Sequence, residues 1–572
     1  MALLERRSDC QKPGLERLGV VGPSATVLFA KTVLLMVLLA HCFIGIDLTD
    51  EIQYYYQIEG LLRTGTLFAT DLYVQQLIYI LFYPVLKLYH SMFGVTGLVL
   101  FGRLLFAGLL LLLFAFSRRQ FVRRGLDDGA ACFASVALVL AVPYHGIFAI
   151  SYNTISQIGW ALTMLFVVCR VHLPMWVWAL VISITGLAHP TAGIAVSVIS
   201  GLFFVTQDRI RELLGVIAYC IVFSLILISL VFVLGGGISG FWTALAFSGG
   251  FSVGTALLSE RNLFQYSQIA ALVLGAMFLP TSRIAVRPLL WTLVALLAVS
   301  IIYGIQTRLT WPADSAWPYR YKLEFLDGWV ILSAIALFAL RCVQREHSVR
   351  LPDARALGLI TLFQCAVLSA TSSNGLAQGI GAFSLALPIL TAGLVLQVYH
   401  PRQWTRRIPA VLVAALAVSM SLLYPYQQSS LVGAQRTFAE APLFRGLLVT
   451  SEQDDFFHQA REQLAKQLPS RTGMILSRTP GLYAILNIAP QGCMVYNHSM
   501  RSERSEEAFF ECMDQREIDF VFRVRWLDRD DRFAEIASKL TELRGFTCRE
   551  LMFEPSSPPR GLSTMPLASL CD

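Results

Sequence analysis

Three carboxylates follow the first long apolar segment of the chain. Asp47, Asp50 and Glu51 lie close together, and Tyr54 and Tyr55 come directly after them. Carboxylates at a membrane boundary are costly unless they are solvated or have a function. Adjacent carboxylates also raise one another's pKa, as a general base requires. The stretch is therefore a candidate catalytic loop; the alternative is a polar cap with a belt of interfacial tyrosines.

The composition of the chain restricts the class of protein to which these carboxylates belong. Of its 572 residues, 55% are hydrophobic and 15% are charged, and the mean hydropathy is +0.60. A soluble protein carries about 25% charged residues, so soluble multidomain, disordered and coiled-coil classes are excluded. The net charge of +7 does not indicate nucleic-acid binding, because most Lys and Arg residues lie in short loops beside apolar runs. The predicted fold is an all-α polytopic membrane protein with a soluble part.

Apolar runs and basic clusters together predict the topology. Residues 1–23 are polar and basic, so they form a predicted cytoplasmic N-terminus, and residues 24–425 form a predicted transmembrane domain with about 13 helices. The predicted spans are 24–46, 97–116, 128–145, 152–169, 173–188, 190–206, 212–234, 264–280, 288–304, 325–341, 355–372, 379–398 and 408–425. An odd number of crossings places the C-terminus outside the cell membrane.

Two segments lie outside these spans on the outer side. Residues 47–96 form the first external loop, in which the stretch 73–93 is predicted to be one helix in the membrane interface. Residues 426–572 are charged and form a predicted extracytoplasmic α/β domain. Its predicted strands are 474–477, 494–498, 520–524 and 550–554, and its predicted helices are 452–467, 503–515 and 531–543.

Four cysteines lie in this polar C-terminal part, at positions 493, 512, 548 and 571. In an oxidising compartment they can form two disulfides, and three pairings are open. No CxxC pair or Cys/His cluster indicates zinc.

A second basic and aromatic stretch faces outward in the predicted topology. The predicted loop 305–324 contains Arg320 and Lys322 among Trp and Tyr residues, against the usual charge bias of external loops. Both cations are candidates for contact with a lipid phosphate, because guanidinium and ammonium groups bind phosphate oxygens. The alternative is an interfacial anchor that pairs with anionic lipid.

The order of these features resembles the glycosyltransferase C superfamily, polytopic enzymes that use polyprenyl-phosphate sugar donors. That superfamily includes protein mannosyltransferases and the lipid A aminoarabinose transferase. The elements that carry the resemblance, over roughly residues 24–210, are Asp50-Glu51, Tyr54/Tyr55, Gly65, Phe93-Gly94, Arg103 and Arg118-Arg119.

The resemblance implies roles for these residues. Asp50 would be the general base that deprotonates an acceptor hydroxyl, and Glu51 or Asp47 would assist or orient it. Tyr54, Tyr55 and Arg103 would belong to the substrate-binding set. The leaving group would be a phosphate, which needs nearby cations rather than a strong acid.

Three further positions are interpreted from the same resemblance. Tyr152-Asn153 lies where many members carry an acidic residue, so Asn153 is a candidate for sugar binding; the alternative is a helix start with Asn153 as N-cap. His189 precedes Pro190 where relatives often carry a basic residue, and the alternative is a helix-breaking turn. Asn374 lies in a small polar loop that is interpreted either as a substrate contact or as a plain turn.

No cofactor is predicted besides a polyprenyl-phosphate sugar as co-substrate. No metal site is predicted either, and use of a divalent metal is left open because Asn153 replaces the expected acidic residue.

The predicted function is transfer of a sugar from a polyprenyl-phosphate donor to a cell-envelope glycan, lipid or protein on the outer face of the inner membrane. The partners are the lipid-linked donor, the acceptor and the membrane, with no nucleic acid. The alternatives are a non-catalytic membrane scaffold and a lipid-linked saccharide transporter. A transporter is disfavoured because the spans are apolar and no internal repeat is evident.

Overall fold

The structure, a computed structural model, describes most of the chain. The described residues are 24–69, 71–143, 147–235, 240–244, 260–280, 286–310, 318–346, 354–371, 376–397, 403–424, 436–470, 472–476, 480–490, 493, 503–514, 517–524, 531–551 and 568–572.

The part of the chain before residue 425 is helical. Its helices are α1 (Ala25–Phe43), α2 (Asp50–Thr64), α3 (Tyr83–Phe93), α4 (Leu98–Arg123), α5 (Asp128–Ala141), α6 (Tyr152–Val168), α7 (Met175–Ala188), α8 (Pro190–Thr206), α9 (Ile210–Leu234), α10 (Glu260–Phe278), α11 (Val286–Thr310), α12 (Pro318–Glu346), α13 (Ala354–Thr371), α14 (Leu376–Gly379), α15 (Gly381–Gln397) and α16 (Gln403–Leu423). Every predicted span overlaps one of these helices.

Several of these helices have the length and composition of membrane spans. Five described segments are long and apolar enough to cross a membrane: Ala25–Phe43, Leu98–Arg123, Ile210–Leu234, Pro288–Thr307 and Ala354–Thr371. Helix α9 also exposes a row of large apolar side chains, including Leu214, Ile221 and Val233. A row of this kind is stable only against lipid or another apolar surface. The chain is a multi-pass membrane protein by these criteria, and the number of 13 crossings stays a prediction.

Salt bridges join the ends of three helices on the side that is predicted to be cytoplasmic. Arg118 at the end of α4 forms a bidentate pair with Asp128 at the start of α5, with both N–O distances 2.7 Å. Arg407 of α16 lies 2.8 Å from Asp127, the residue that caps α5. These pairs fix the registration of α4, α5 and α16, which pack together.

The first external segment differs from its prediction. The stretch 73–93 is not one helix: a 3-10 helix covers Val74–Leu81, and α3 begins at Tyr83. Pro84 lies in the first turn of α3, where the missing N–H costs nothing, and a continuous helix through it would lose a hydrogen bond. Helix α3 exposes Val85, Leu88 and Met92, as an interfacial helix would.

The segment predicted as loop 305–324 is also partly helical. Helix α11 continues to Thr310, and α12 begins at Pro318, so only residues between them can form a loop, and these lie outside the described residues. Proline is favoured in a first helical turn, which explains the early start of α12.

The C-terminal region is a small α/β unit, as predicted. Strands β1 (Arg436–Phe438) and β2 (Leu448–Thr450) pair antiparallel. The other strands, β3 (Thr472–Leu476), β4 (Ala489–Pro490), β5 (Phe520–Val524), β6 (Cys548–Leu551) and β7 (Ala568–Cys571), form one sheet in the order β4-β3-β5-β7-β6. Pairs β3–β4 and β3–β5 are parallel, and β7 is antiparallel to both neighbours. The helices are α17 (Ser451–Gln463), α18 (Gly481–Leu486), α19 (Glu503–Asp514) and α20 (Asp531–Arg544).

Two disulfides close this unit, so the prediction of two bridges is confirmed. The pairs are Cys493–Cys512 and Cys548–Cys571. The second bridge ties β6 to β7. The predicted strand 494–498 lies outside the described residues, and β7 was not predicted because its short sequence has no clear alternation.

The C-terminal unit is docked on the first external segment by backbone hydrogen bonds. Gly45 N donates to Leu448 O over 2.8 Å, Gly481 N donates to Leu48 O over 2.9 Å, and Leu72 N donates to Cys493 O over 3.1 Å. Leu72 and Tyr73 also lie in the hydrophobic core of the sheet. The first segment and the C-terminal unit therefore fold as one packed body.

Replacing Gly481 by Ala should weaken this docking. A Cβ at Gly481 would lie 2.9 Å from Leu48 Cβ and 3.2 Å from Leu48 Cα, so the backbone must shift. Overpacking of this kind costs about 1–3 kcal/mol, and the unfolding temperature in detergent should fall. Gly108→Ala in α4 is the matched control, because its added Cβ meets no described atom within 4 Å. Equal unfolding temperatures for the two variants would contradict the docking.

Candidate active site

The start of α2 directs its three carboxylates to different surroundings. Asp47 is buried and caps the helix: it accepts hydrogen bonds from Thr49 N at 2.9 Å, Thr49 Oγ1 at 2.5 Å and Glu51 N at 3.0 Å. Burial raises the pKa of Asp47 above its usual range, and the nearby carboxylates of Asp50 and Glu51 raise it further. The hydrogen bonds to Asp47 act in the opposite sense but do not offset burial.

Glu51 forms a buried bidentate ion pair with Arg103 of α4. Arg103 Nε and Nη2 lie 2.6 Å from the two carboxylate oxygens, and each side chain is 1% exposed. Arg103 Nη1 also donates to His41 O at 3.0 Å and to Ile44 O at 3.4 Å, at the carbonyl end of α1. One guanidinium therefore joins α1, α2 and α4.

Tyr55 belongs to the same buried contact. A Cβ on Gly102, the residue before Arg103, would lie 2.5 Å from Tyr55 Cε1, so the ring packs directly against the α4 backbone. Tyr55 is fully buried. The structure places Arg103 and Tyr55 in the buried contact between α2 and α4, and their predicted role in substrate binding stays a prediction.

Asp50 lies half-exposed, unlike Asp47 and Glu51. Its carboxylate is close enough to Tyr54 and Tyr152 to affect both phenols electrostatically. The Tyr54 and Tyr152 rings meet edge to face at 6.2 Å, and the Tyr152 and His189 rings stack at 6.1 Å. Asn153 forms a hydrogen bond with Tyr54. We call Asp50, Tyr54, Tyr152, Asn153 and His189 the Asp50 cluster.

The local sequence explains how α6 presents Tyr152 and Asn153. Ser151, not Asn153, is the N-cap: Ser151 Oγ accepts from Thr154 N at 3.2 Å, and Thr154 Oγ1 accepts from Ser151 N at 3.0 Å. This capping box leaves Tyr152 and Asn153 in the first turn, with the Asn153 amide available to Tyr54. The alternative interpretation of Asn153 as the N-cap is therefore wrong.

His189 lies at the break between two helices. Helix α7 ends at Ala188 and α8 begins at Pro190, because a proline disfavours the helical conformation of the residue before it. His189 Nδ1 lies 2.8 Å from Thr191 Oγ1. Burial lowers the pKa of His189 to about 4, so the ring is neutral at pH 7.

A buried carboxylate that sequence reasoning missed lies beside the cluster. Asp71 is fully buried and accepts hydrogen bonds from Gln57 Nε2 at 2.7 Å, Gln53 Nε2 at 3.4 Å and Tyr73 N at 3.2 Å. Tyr79 OH donates to Gln57 Oε1 at 3.2 Å. Burial raises the pKa of Asp71 to about 7. The spacing of Gln53 and Gln57, one helical turn apart, was the sequence signal for a shared partner.

The side chains of the other predicted binding residues lie outside the described part of the structure. Arg320 and Lys322 lie in the first turns of α12, and their side chains are outside the described part. Asn374 also lies outside the described residues. Their roles stay predictions. Among the residues that the structure describes, no group of three or more His, Cys, Asp or Glu side chains could hold a metal ion.

The chain was compared with protein families, curated proteins and solved structures. No family model matches the sequence, and no curated protein matches it. Among solved structures, the chain is similar to the crystal structure of ArnT from Cupriavidus metallidurans bound to undecaprenyl phosphate. The sequences are 13% identical, the match covers 96% of this chain and 97% of that chain, and the TM-score is 0.41.

Removing one partner of the Glu51–Arg103 pair should destabilise the protein strongly. A buried charge left without its partner costs about 3–5 kcal/mol, so Glu51→Gln and Arg103→Met should each lower the unfolding temperature in detergent. The double variant should regain part of the loss. Arg118→Met is the control, because that pair is partly exposed and is worth about 1 kcal/mol at most. Strictly additive losses in the double variant would contradict a coupled pair.

The Asp71 carboxyl should make the protein less stable as the pH rises. Its pKa is about 7 in the folded protein against 3.8 normally, so the unfolded chain releases this proton first. Between those two pH values the folded state binds more protons, and stability therefore falls as the pH increases. Thermal unfolding across this window should show a smaller decline in Asp71→Asn than in wild type. Parallel curves for the two proteins would contradict a buried, protonated Asp71.

Proposed function

We propose that this protein is an integral membrane glycosyltransferase that moves a sugar from a polyprenyl-phosphate donor to an acceptor hydroxyl. The observation that carries the proposal is the Asp50 cluster, in which a half-exposed carboxylate lies beside two tyrosines, an amide and an imidazole. A base, aromatic rings and hydrogen-bonding groups together suit a sugar transfer site. The order of the first-loop residues, which resembles the glycosyltransferase C superfamily, supports the same reaction.

Asp50 is the proposed general base because its carboxylate is half-exposed, whereas those of Asp47 and Glu51 are buried. Asp47 uses its oxygens to cap α2, and Glu51 is held by Arg103. Asp50 opens α2, where the partial positive charge of the helix N-terminus stabilises a carboxylate. Asp47 and Glu51 then have positioning roles: they fix the first turn of the helix and set the electrostatic potential around Asp50.

The reaction is a displacement at the anomeric carbon. Asp50 accepts the proton of the acceptor hydroxyl while the oxygen of that hydroxyl forms a bond to the anomeric carbon of the sugar. The bond from that carbon to the phosphate oxygen breaks, and polyprenyl phosphate leaves with the electron pair. The proton on Asp50 then passes to solvent, which the half-exposed position of Asp50 permits.

Tyr54, Tyr152 and Asn153 are the proposed sugar contacts. The tyrosine rings offer apolar faces to the C–H groups of a pyranose, and their hydroxyls offer hydrogen bonds. The Asn153 amide both donates and accepts, as sugar hydroxyls do. His189 is neutral at pH 7, so its proposed contact with the donor is a hydrogen bond rather than a charge interaction.

Cations for the leaving phosphate are proposed at the start of α12. Arg320 and Lys322 lie in its first turns, and a phosphate that leaves as an anion is stabilised by positive charge. This assignment rests on the sequence, because arginine and lysine are residue types that bind phosphate oxygens.

The proposed location is the outer face of the inner membrane, with the C-terminal unit in the periplasm or its equivalent. The two disulfides of that unit support an oxidising compartment. The acceptor is a cell-envelope glycan, a lipid or a protein.

Asp50→Asn should abolish sugar transfer without unfolding the protein. Loss of a general base lowers the rate by about 10²- to 10⁴-fold, and the amide keeps the size of the side chain. The assay measures release of radiolabelled polyprenyl phosphate from a panel of polyprenyl-phosphate sugars with an envelope extract as acceptor. Asp455→Asn, an exposed position in α17, is the matched control and should keep full activity.

The same assay separates the proposed base from its neighbours. Turnover of Asp50→Asn at the wild-type rate would remove Asp50 as the base. If the wild-type protein turns over none of the donors and binds none of them, a non-catalytic scaffold would be favoured.

A further inference from the structure

Asp71 is a buried carboxylate that the proposed reaction does not use. Its bonded partners in the structure are neutral donors: two glutamine amides and backbone N–H groups. Glu51, by contrast, has a bidentate guanidinium at 2.6 Å. A buried carboxylate held only by neutral donors is costly to the fold, and such groups occur preferentially at functional sites.

The chemistry of Asp71 fixes the direction of the hydrogen bonds around it. In its ionised form, above pH 7, Asp71 accepts through both oxygens: Oδ2 from Gln57 and Gln53, and Oδ1 from Tyr73 N. The amide NH₂ of Gln57 must therefore face Asp71, so its oxygen faces Tyr79. Tyr79 OH then donates to Gln57 Oε1, as its 3.2 Å contact requires. The lone pairs of the Tyr79 oxygen are left to accept a hydrogen.

Tyr79 connects the hydrogen-bond network of Asp71 with the Asp50 cluster. It lies in the 3-10 helix Val74–Leu81, which packs against both α2 and α6. Its phenol is in electrostatic range of both Tyr54 and Tyr152. The backbone at Asp71 is held as well, because Gln76 Nε2 donates to Asp71 O at 2.6 Å.

We propose that Asp71 is a positioning residue of the sugar site, which acts through Gln57 and Tyr79 to set the hydroxyl orientations of Tyr54 and Tyr152. The proposal rests on the sugar-transfer function proposed above. Asp71 does not touch the substrate; it determines which groups in the site accept hydrogen bonds and which donate them.

Asparagine cannot replace Asp71 in this role although it has the same shape. If the oxygen of the new asparagine amide faces Gln53 and Gln57, its NH₂ group lies against the N–H donor of Tyr73. If the amide is reversed, its NH₂ group lies against the NH₂ groups of the two glutamines. Either orientation brings two donors together. In the second orientation Gln57 must invert, and Tyr79 then has to accept from Gln57 instead of donating to it.

A double-mutant cycle between Asp71 and Tyr79 tests the proposal. Asp71→Asn and Tyr79→Phe should each raise the KM for the polyprenyl-phosphate sugar by about tenfold per folded protein, the effect of one unmade hydrogen bond. The double variant should show no larger rise than Tyr79→Phe alone. A merely structural role would lower the folded fraction and leave the KM unchanged. Tyr483→Phe, a buried phenol bonded to Ile475 N in the C-terminal unit, is the control and should keep the wild-type KM.

A spectroscopic measurement tests the proposal without requiring sugar-transfer activity. The tyrosine doublet in the ultraviolet Raman spectrum distinguishes a phenol that donates a hydrogen bond from one that accepts it. Subtracting the Tyr79→Phe spectrum from its parent isolates Tyr79 in the wild-type and in the Asp71→Asn background. A donor signature that changes to an acceptor signature on Asp71→Asn supports the proposal, and identical difference spectra overturn it.

The two readouts separate this proposal from the proposed function. Unchanged KM values in an active wild-type enzyme, or additive rises in the double variant, would overturn the positioning role while sugar transfer stands. An inactive wild type that binds no donor would instead remove the proposed function, and the Raman comparison would still decide whether Asp71 orients Tyr79.

Discussion

The buried ion pair between Glu51 and Arg103 is the constraint on which the first external segment depends. Two charges that are each 1% exposed must be paired and fully hydrogen-bonded, because an isolated buried charge is very costly. Arg103 meets this need by binding the carboxylate of α2 and the last carbonyls of α1 together. The direction of α2 is thereby fixed relative to two apolar helices. Asp50, one residue before Glu51, is carried to the half-exposed side of the same turn.

A second constraint comes from the C-terminal unit, which closes over the first segment. Hydrogen bonds from Gly45, Gly481 and Leu72 tie the two parts together on either side of α2. Leu72 lies in the core of the sheet, and its neighbour Asp71 lies in the polar network under the Asp50 cluster. The C-terminal unit therefore packs against the segment that carries the proposed site, as the helices of the membrane part do.

Much of this architecture could be predicted from sequence, because apolar runs and basic clusters have direct physical consequences. The helices and the strand Phe520–Val524 follow from hydrophobic pattern, and two disulfides follow from four cysteines in one polar region. Side-chain direction could not be predicted. Asp47, Asp50 and Glu51 are equivalent in sequence, yet one caps a helix, one is half-exposed and one is buried against an arginine that lies 52 residues further along the chain. Asp71 itself gave no signal, and the one-turn spacing of Gln53 and Gln57, which points to a shared partner, is also typical of an ordinary polar helix face.

The central claim is that a lipid-linked sugar binds at the Asp50 cluster, and photo-crosslinking tests it most directly. A polyprenyl-phosphate sugar with a photoreactive group on the sugar ring would be irradiated with the purified protein, and the labelled peptides identified by mass spectrometry. The account predicts labelling of peptides that contain residues 50–54 and 152–154, suppressed by excess unmodified donor. Labelling confined to other parts of the chain, or labelling that unmodified donor does not reduce, would contradict it.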